Sequence, residues 1–364
     1  METKIKVLNI FASLDFGGVE SHALMLDKGS KYSEYNHAYI AISNGGDIEN
    51  KLKKRNCDVY TLNCDPKIPS ISTIWSLYKV IKELDPDVVH TRGAEATFHG
   101  IIAAKLAGTK VKIAEEIGIP THSLFAKVIF RLTYSFTDKL VAISQAVKQW
   151  IVDNGEASSS KVQVIYNPTD FFSENSKRDT SSKYFSIGFI GRLENVKNPL
   201  SLVKAIKILR DRGELVKLEL VGDGRQKESI LNFIKNNSLQ DLITVHGFQS
   251  EPHISIENCD LYVQPSITEG FGIAVVEVMG AGIPVLASAV GGIPEFIDDK
   301  DNGWLLKSVD SQSIADSIQS ILEITTEERL IIAKRGRDSV VSRFTIEKYI
   351  TNLHDMYSSL LNEK

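Results

Sequence analysis

The chain has 364 residues, of which 43% are hydrophobic, 24% charged and 8% aromatic, and its formal net charge is −4. Such a composition indicates a globular protein that is too long for one ordinary core, and the negative charge argues against nucleic acid as a partner. The three cysteines, Cys57, Cys64 and Cys259, lack metal-ligand spacing, so we expect reduced thiols in a cytoplasmic protein. No signal peptide and no apolar run of about 18 residues is recognisable, so no membrane span is expected.

Short apolar runs alternate with longer helical patterns along the first half of the chain. This order predicts an α/β domain in which helices cover both faces of a parallel sheet. The predicted strands are 5–11, 37–42, 59–62, 88–91, 111–115, 140–143 and 162–165. The predicted helices include 19–28, 71–84, 97–107 and 144–152.

The alternation of strand-like and helix-like patterns stops at a polar, aperiodic segment after residue 170 and then starts again. We therefore predict two doubly wound domains, 1–170 and 184–345, joined by a linker at 171–183. Asn198 is expected to cap the helix that begins at Pro199. The predicted strands of the second half are 186–190, 218–221, 243–246, 261–264, 285–287 and 304–306. Its predicted helices are 199–212, 226–236, 273–281 and 313–323, with further helical pattern from 325 onwards.

Glycines follow the first strand of the first domain. Gly17 and Gly18 open a helix, and their bare backbone would allow a phosphate or sugar to approach its N–H groups. An ordinary tight turn is the equally open alternative.

Two cations follow the first strand of the second domain. Arg192 can grip two phosphate oxygens, and Lys197 can act as a point charge beside them. A lone cation is most often a solvated surface group. The joint pattern with Glu269 and Glu277 favours binding, since carboxylates accept hydrogen bonds from sugar and ribose hydroxyls.

The two glutamates flank a glycine-containing turn and a predicted helix. If one helix separated them, the eight-residue spacing would be about 12 Å. This exceeds the roughly 5–9.5 Å of glycosidase pairs, so paired-carboxylate hydrolysis is disfavoured. The N–H groups of Phe271, Gly272 and Ile273 would point at a ligand between them. A Glu277 that only holds a loop is the alternative.

Further candidates are less specific. Gly222 could lie under a nucleobase or simply form a turn, and the backbone beside Phe248 could touch a base edge. Asp85 and Asp87 form an Asp-Pro-Asp sequence that is ordinary helix-breaking chemistry, so no metal ligand is predicted. The mixture of cations and aromatics around 126–134 fits either a membrane-surface face or a helix packed on its own sheet.

In combination, these motifs resemble the retaining glycosyltransferases of the GT-B fold, in the large group called family 4. The resemblance covers nearly the whole chain and is most specific between residues 188 and 295. The motifs that carry it are Gly191-Arg-Leu-x-x-x-Lys197-Asn, Gly222-Asp-Gly224, His246-Gly-Phe248, Gln264-Pro-Ser266, Glu269-Gly-Phe-Gly-x-x-x-x-Glu277, Gly282-Ile-Pro-Val285 and Gly291-Gly-x-Pro-Glu295.

The resemblance implies the role of each motif. Arg192 and Lys197 would neutralise the donor diphosphate, and Glu269 would face the donor sugar. The 271–273 amides would hold the sugar hydroxyls, and Glu277 would bind the ribose. Gly17 and Gly18 would let the acceptor-binding first domain close on the phosphates. A last helix, 346–364, would cross back from the nucleotide-sugar-binding domain to the first.

One position departs from the family pattern. Many relatives carry a histidine after the fifth strand, where this chain has Glu116. Glu116 would then contact a sugar hydroxyl or the acceptor as part of the catalytic set, or merely cap a loop.

We therefore expect a glycosyltransferase that uses a nucleotide-sugar donor and needs neither a tightly bound cofactor nor a metal. The expected donor is a UDP-sugar, because the resemblance implies the donor that is usual in the family. The resemblance implies a glycan or polyprenyl-linked oligosaccharide acceptor in bacterial surface polysaccharide synthesis. It further implies a cytoplasmic enzyme, with contact to the inner face of the plasma membrane as an open question. A sugar-nucleotide epimerase and a non-catalytic nucleotide-sugar-binding subunit are the alternatives.

Overall fold

The computed structural model describes residues 5–15, 20–120, 122–170 and 183–364. The chain divides into two compact units. The first unit comprises Met1–Thr169 and Phe344–Lys364, and the second unit comprises Asp170–Arg343. Gly17 and Gly18, and the predicted linker up to residue 182, lie outside the described residues.

The first unit is built on a sheet of seven parallel strands. In chain order the strands are β1 (Lys6–Phe11), β2 (Asn36–Ala41), β3 (Asp58–Thr61), β4 (Val88–Arg92), β5 (Val111–Glu116), β6 (Lys139–Ala142) and β7 (Val162–Val164). Their order in the sheet is β3-β2-β1-β4-β5-β6-β7, so the winding direction reverses between β1 and β4. Ligands of such sheets bind at the carboxyl ends of the strands beside this reversal.

Helices connect consecutive strands of the first sheet. They are α1 (Ser21–Lys28), α2 (Asp47–Lys54), α3 (Ile71–Leu84), α4 (Ala94–Ala107), α5 (Leu124–Ser135) and α6 (Gln145–Asp153). Serine side chains cap three of them, since Ser70, Ser123 and Ser144 accept hydrogen bonds from N–H groups in the first turns of α3, α5 and α6. Every residue of β4 and β5 is buried, as expected for central strands with both faces covered.

The second unit repeats the plan with six parallel strands. They are β8 (Phe185–Ile190), β9 (Val216–Val221), β10 (Ile243–Gly247), β11 (Leu261–Gln264), β12 (Val285–Ser288) and β13 (Trp304–Leu306). The helices are α7 (Pro199–Asp211), α8 (Lys227–Asn236), α9 (Ile273–Gly280), α10 (Ser311–Leu322) and α11 (Thr326–Val341). The sheet order is β10-β9-β8-β11-β12-β13, so its reversal lies between β8 and β11.

The last helix, α12 (Ile346–Asn362), belongs to the first unit. Its Tyr349, Ile350, Leu353, Met356 and Tyr357 are buried and join a hydrophobic cluster with β1, β2, α1 and α2. The C-terminal helix is thus part of the core that covers one face of the first sheet.

The predicted α/β class with two Rossmann-like sheets is confirmed, and each predicted strand begins and ends within two residues of an observed one. Helix α2 was not predicted. The expectation that the Asn198 side chain caps α7 is wrong. Asn198 occupies the cap position in a left-handed conformation, but its amide donates a hydrogen bond to the carbonyl of Val309, 2.7 Å away.

Within the described residues, no helix combines the length and the apolar character needed to cross a bilayer.

Candidate functional site

The candidate site of the second unit lies where the order of its strands reverses. The loop after β8 carries Arg192 and ends in a short 3₁₀ turn, Asn195–Lys197, while the loop after β11 carries Glu269. The two loops are joined by a hydrogen bond of 2.8 Å from the N–H of Ile267 to the carbonyl of Val196. The fold therefore places two segments that are distant in sequence side by side at the ligand-binding edge.

Lys197 and Glu269 form an ion pair across these loops. The Lys197 Nζ donates to Glu269 Oε2, and the two side chains are only 20% and 13% exposed. Arg192 is exposed on the same loop and has no ion pair with any described residue. The edge thus presents one cation held by a carboxylate and a second one open to a ligand.

Glycines allow the loops to approach each other closely. A Cβ atom on Gly222, which has φ of +143°, would lie 1.9 Å from the carbonyl oxygen of Gly191. Gly222 therefore packs beneath the loop that carries Arg192, which accounts for the glycine without a nucleobase. Phe248 follows β10 and is 59% exposed at the same edge of the sheet.

Helix α9 begins at Ile273, as predicted. Phe271 and Gly272 precede it, and Glu269 lies in the loop, so the separation of about 12 Å predicted from one continuous helix has no basis. Gly272 has φ of +102°, and no side chain caps the helix. The N–H groups of its first turn are therefore available to a ligand.

The Glu269 backbone is held from the other side by Gly291. A Cβ atom on Gly291, which has φ of +56°, would lie 1.5 Å from the carbonyl oxygen of Glu269. Only glycine fits here, because both the contact and the backbone conformation exclude a side chain. Gly291, the first glycine of the Gly-Gly pair in the sequence motif, thus supports the Glu269 loop.

Glu277 lies in α9, partly buried, and its carboxyl group forms no hydrogen bond or ion pair with a described residue. Burial, together with the negative charge of Asp170, raises the pKa of Glu277 to about 7. An unpartnered carboxylate in a desolvated position is costly unless something donates hydrogen bonds to it. This position suits a ligand with hydroxyl groups.

Glu116 ends β5 in the first unit and is buried. It accepts a hydrogen bond of 2.5 Å from the hydroxyl of Tyr134, which is also buried. Burial raises the pKa of Glu116 to about 7, although this hydrogen bond opposes the shift. These contacts favour the alternative in which Glu116 holds a loop, because its carboxyl group is occupied by a protein partner.

The neighbouring Glu115 belongs to a buried network that the sequence analysis missed. Its carboxylate lies 3.0 Å from Arg92 Nε and 3.1 Å from His90 Nε2, and His90 Nδ1 lies 2.6 Å from the hydroxyl of Tyr357 on α12. Burial alone would raise the pKa of Glu115, but the Arg92 charge and the contacts with His22 and His90 hold it well below its ordinary value. The sequence signal for this network was the pair of basic residues at alternating positions of β4, His90 and Arg92, together with the acidic Glu115 on β5.

The Asp-Pro-Asp sequence is used structurally. Asp85 is the C-cap residue that follows α3, in a left-handed conformation, and Asp87 accepts hydrogen bonds from Lys110 and from the N–H of Lys6. No group of three or more metal-ligating side chains occurs among the described residues.

Helix α5 combines a packed face with an exposed apolar one. Phe130, Thr133 and Tyr134 are buried, which fits packing against the unit's own sheet. The other face exposes large apolar side chains at helical spacing, namely Leu124 (83% exposed), Phe125 (76%), Val128 (67%) and Leu132 (60%). Such a continuous apolar face on one helix is unusual for a surface that contacts only water.

Comparison with protein families matches both halves of the chain. Residues 170–339 match the family described as Glycosyl transferases group 1, and residues 16–171 match Glycosyltransferase Family 4. Together the two matches cover nearly the whole chain.

Two curated relatives are similar over most of their length. One is the UDP-Gal:alpha-D-GlcNAc-diphosphoundecaprenol alpha-1,3-galactosyltransferase of Escherichia coli, 25% identical over 82% of this chain and 81% of the relative. The other is the capsular polysaccharide biosynthesis glycosyltransferase CapM of Staphylococcus aureus, 25% identical over 86% of this chain and 92% of the relative.

Solved structures share the fold. Anabaena Alr3699/HepE in complex with UDP has a TM-score of 0.82 at 22% identity and covers 98% of this chain and 100% of its own. A glycosyltransferase from Rickettsia africae has a TM-score of 0.84 at 22% identity, covering 99% of this chain and 100% of its own.

These similarities leave no support for the epimerase alternative, since the relatives are glycosyltransferases. Together with the two parallel sheets, the family matches show that this chain belongs to the glycosyltransferases of group 1 and family 4 and has the GT-B fold.

Proposed function

We propose that the chain transfers a sugar, with retention of anomeric configuration, from a UDP-sugar to a glycan or polyprenyl-linked oligosaccharide in bacterial surface polysaccharide synthesis. The observation that carries the proposal is the Lys197–Glu269 ion pair, which joins the loop of Arg192 to the loop that leads into the uncapped start of α9. The acceptor class rests on the Escherichia coli relative, whose name specifies a diphosphoundecaprenol-linked acceptor.

The proposed chemistry uses the charge of the second unit. As the glycosidic bond breaks, negative charge develops on the leaving UDP, where Arg192, Lys197 and the α9 N–H groups would stabilise it. The acceptor oxygen bonds to the anomeric carbon on the face that UDP leaves. Its proton passes to the departing phosphate, so the step needs no strong protein base.

The carboxylates would orient the two sugars of the donor. Glu269, beside Lys197, would accept hydrogen bonds from the transferred sugar, and Glu277 from the ribose. The backbone amides of Phe271, Gly272 and Ile273 would bind the sugar hydroxyls. Gly222 and the exposed Phe248 lie at the edge where the uracil would bind. We assign Glu116 a structural role in the acceptor unit.

Binding of UDP, GDP and ADP, measured by isothermal titration calorimetry, tests this proposal. We expect micromolar UDP binding that Lys197→Ala abolishes and that Lys207→Ala leaves unchanged, since Lys207 pairs with Asp211 on the surface of α7 in the same unit. A preference for GDP would contradict the UDP assignment. Absence of nucleotide binding would favour a chain that does not catalyse transfer.

Steady-state kinetics then test the carboxylate. Glu269→Ala should lower kcat by about 100-fold while leaving the melting temperature unchanged, because it removes a contact to the transferring sugar. Wild-type turnover in this variant would refute the role.

We further propose that the enzyme works at the cytoplasmic face of the plasma membrane, with the exposed face of α5 against the lipid. This helix carries Lys127 and Arg131 but no carboxylate, which suits an anionic surface, and Phe125 is an aromatic group that favours the interface.

Flotation with anionic liposomes checks this contact. Phe125→Asp should abolish binding at low salt, whereas Leu231→Asp, at an exposed leucine of α8, should leave it intact. Equal flotation of both variants, or none for the wild type, would remove the assignment.

A further inference from the structure

A line of side-chain hydrogen bonds runs from the core of the second unit to Glu269. The Tyr262 hydroxyl lies 2.5 Å from Gln264 Oε1, and Gln264 Nε2 lies 2.9 Å from Ser266 Oγ. Ser266 Oγ in turn lies 3.3 Å from Glu269 Oε2. Tyr262, Gln264 and Ser266 are all buried. Three buried polar groups are therefore committed to one another and to this carboxylate.

The donors in this line all point towards Glu269. Burial raises the pKa of Tyr262, so its hydroxyl remains a donor, shared between Gln264 Oε1 and the carbonyl of Ile190, 3.1 Å away. Accepting at Oε1 fixes the amide so that its Nε2 donates to Ser266. Ser266 then has its own proton left for the carboxylate. Hydrogen bonds aligned in this way strengthen one another.

The line gives Glu269 a second partner besides Lys197. Both Lys197 Nζ and Ser266 Oγ contact the same carboxylate oxygen, Oε2. When Lys197 turns to a donor diphosphate, the hydrogen bond from Ser266 would still hold the carboxylate in place. Loss of one partner would otherwise leave a partly buried charge free to rotate.

We propose that Gln264 and Ser266 are positioning residues that hold the Glu269 carboxylate in register for sugar transfer. The proposal rests on the role given above to Glu269. It differs from a purely structural role in one respect: the two residues act on turnover through Glu269 and not through the stability of the loop.

The experiment measures kcat and donor KM by release of UDP, and the melting temperature by thermal unfolding. The donor is whichever of UDP-glucose, UDP-galactose and UDP-N-acetylglucosamine supports the fastest turnover. Ser266→Ala and Gln264→Leu should each lower kcat by about tenfold or more with donor KM within about twofold, since a misplaced catalytic group reduces rate before binding. Ser266→Thr, which keeps the hydroxyl, should restore kcat.

A matched control comes from a second buried serine. Ser288 at the end of β12 donates to the backbone carbonyl of Gln264, 3.4 Å away, and takes no part in the line. Ser288→Ala should retain wild-type kcat. In the double variant Ser266→Ala/Glu269→Ala, the loss should equal that of Glu269→Ala alone, because Ser266 has nothing left to position.

Two outcomes would overturn the inference: wild-type kcat in both Ser266→Ala and Gln264→Leu, or losses in the double variant that multiply. Either result, with Glu269→Ala still impaired, would leave the proposed function intact. Wild-type turnover in Glu269→Ala would instead remove the role of the carboxylate itself, and the positioning role with it.

Discussion

The two units share a parallel architecture but use their charged residues differently. In the second unit, Arg192 has no ion pair with a described residue and Glu277 has no hydrogen-bond partner there. In the first unit, Arg92 and Glu115 are fully buried against each other, and Glu116 is occupied by Tyr134. At this edge the second unit thus has two charged groups without a described protein partner, next to the Lys197–Glu269 pair, whereas the charged groups of the first unit are buried in protein contacts.

This contrast teaches that a charged residue at the carboxyl end of a strand is not by itself evidence of a binding site. What distinguishes the two edges is whether the protein supplies a partner. Buried charges that face an opposite charge hold elements together, whereas charged groups without a protein partner are available to a ligand.

The strongest test of the contrast removes Arg92. Arg92→Met leaves Glu115 buried without its cation, so we expect a loss of about 3–5 kcal/mol in the free energy of unfolding, measured with urea. Lys207→Met, which breaks the exposed pair with Asp211, should cost less than about 1 kcal/mol. Equal effects of the two substitutions would contradict the assignment of Arg92 to stability.

A second, smaller effect is expected at the support of the Glu269 loop. Gly291→Ala places a Cβ atom against the Glu269 carbonyl and should destabilise the second unit by about 1–3 kcal/mol while lowering turnover. Gly213→Ala is the control that separates backbone strain from the contact with Glu269. Gly213 also has a positive φ, of +88°, but nothing lies within 4 Å of its added Cβ. If both variants lose turnover equally, backbone strain and not the contact with Glu269 is responsible.

The smallest expected effect is a pH dependence of UDP binding. Because the pKa of Glu277 is raised to about 7, its carboxyl group is neutral below that pH and accepts weaker hydrogen bonds from ribose. UDP affinity should therefore rise by about tenfold or less between pH 6 and pH 8. Calorimetry on Glu277→Gln provides the control, since it retains only the titration of the nucleotide itself. The same dependence in both proteins would exclude Glu277.

The same group gives a signed stability change. A raised pKa means that the folded state holds the proton more tightly, so stability is lost as pH rises from about 4.5 to 7 and is constant above. The melting temperature of Glu277→Gln should accordingly exceed that of the wild type by more at pH 8 than at pH 6.

Much of the fold could be predicted because short apolar runs mark buried parallel strands. Helix α2 escaped prediction because Ile48 and Leu52 are its only buried positions among charged residues. The start of α9 at Ile273 was predicted, but Glu269 lies in the preceding loop, so the helical estimate of its separation from Glu277 did not apply.

The candidate site was predictable only in its parts. Sequence motifs indicated Lys197 and Glu269, but their direct contact spans 72 positions and depends on the reversal between β8 and β11. Which of Glu115 and Glu116 faces the interior network is likewise set by the alternation of side chains along β5, combined with the packing of α12.

The return of α12 to the first unit determines the order in which the molecule can be completed. A ribosome releases all of Asp170–Arg343 before it releases the helix that closes the first core. The second unit can therefore fold during synthesis. Until α12 is released, the first unit exposes the part of its core against which Tyr349, Leu353 and Tyr357 pack. A chain that stops before α12 would be expected to fold its second unit and to leave the core of the first unit incomplete.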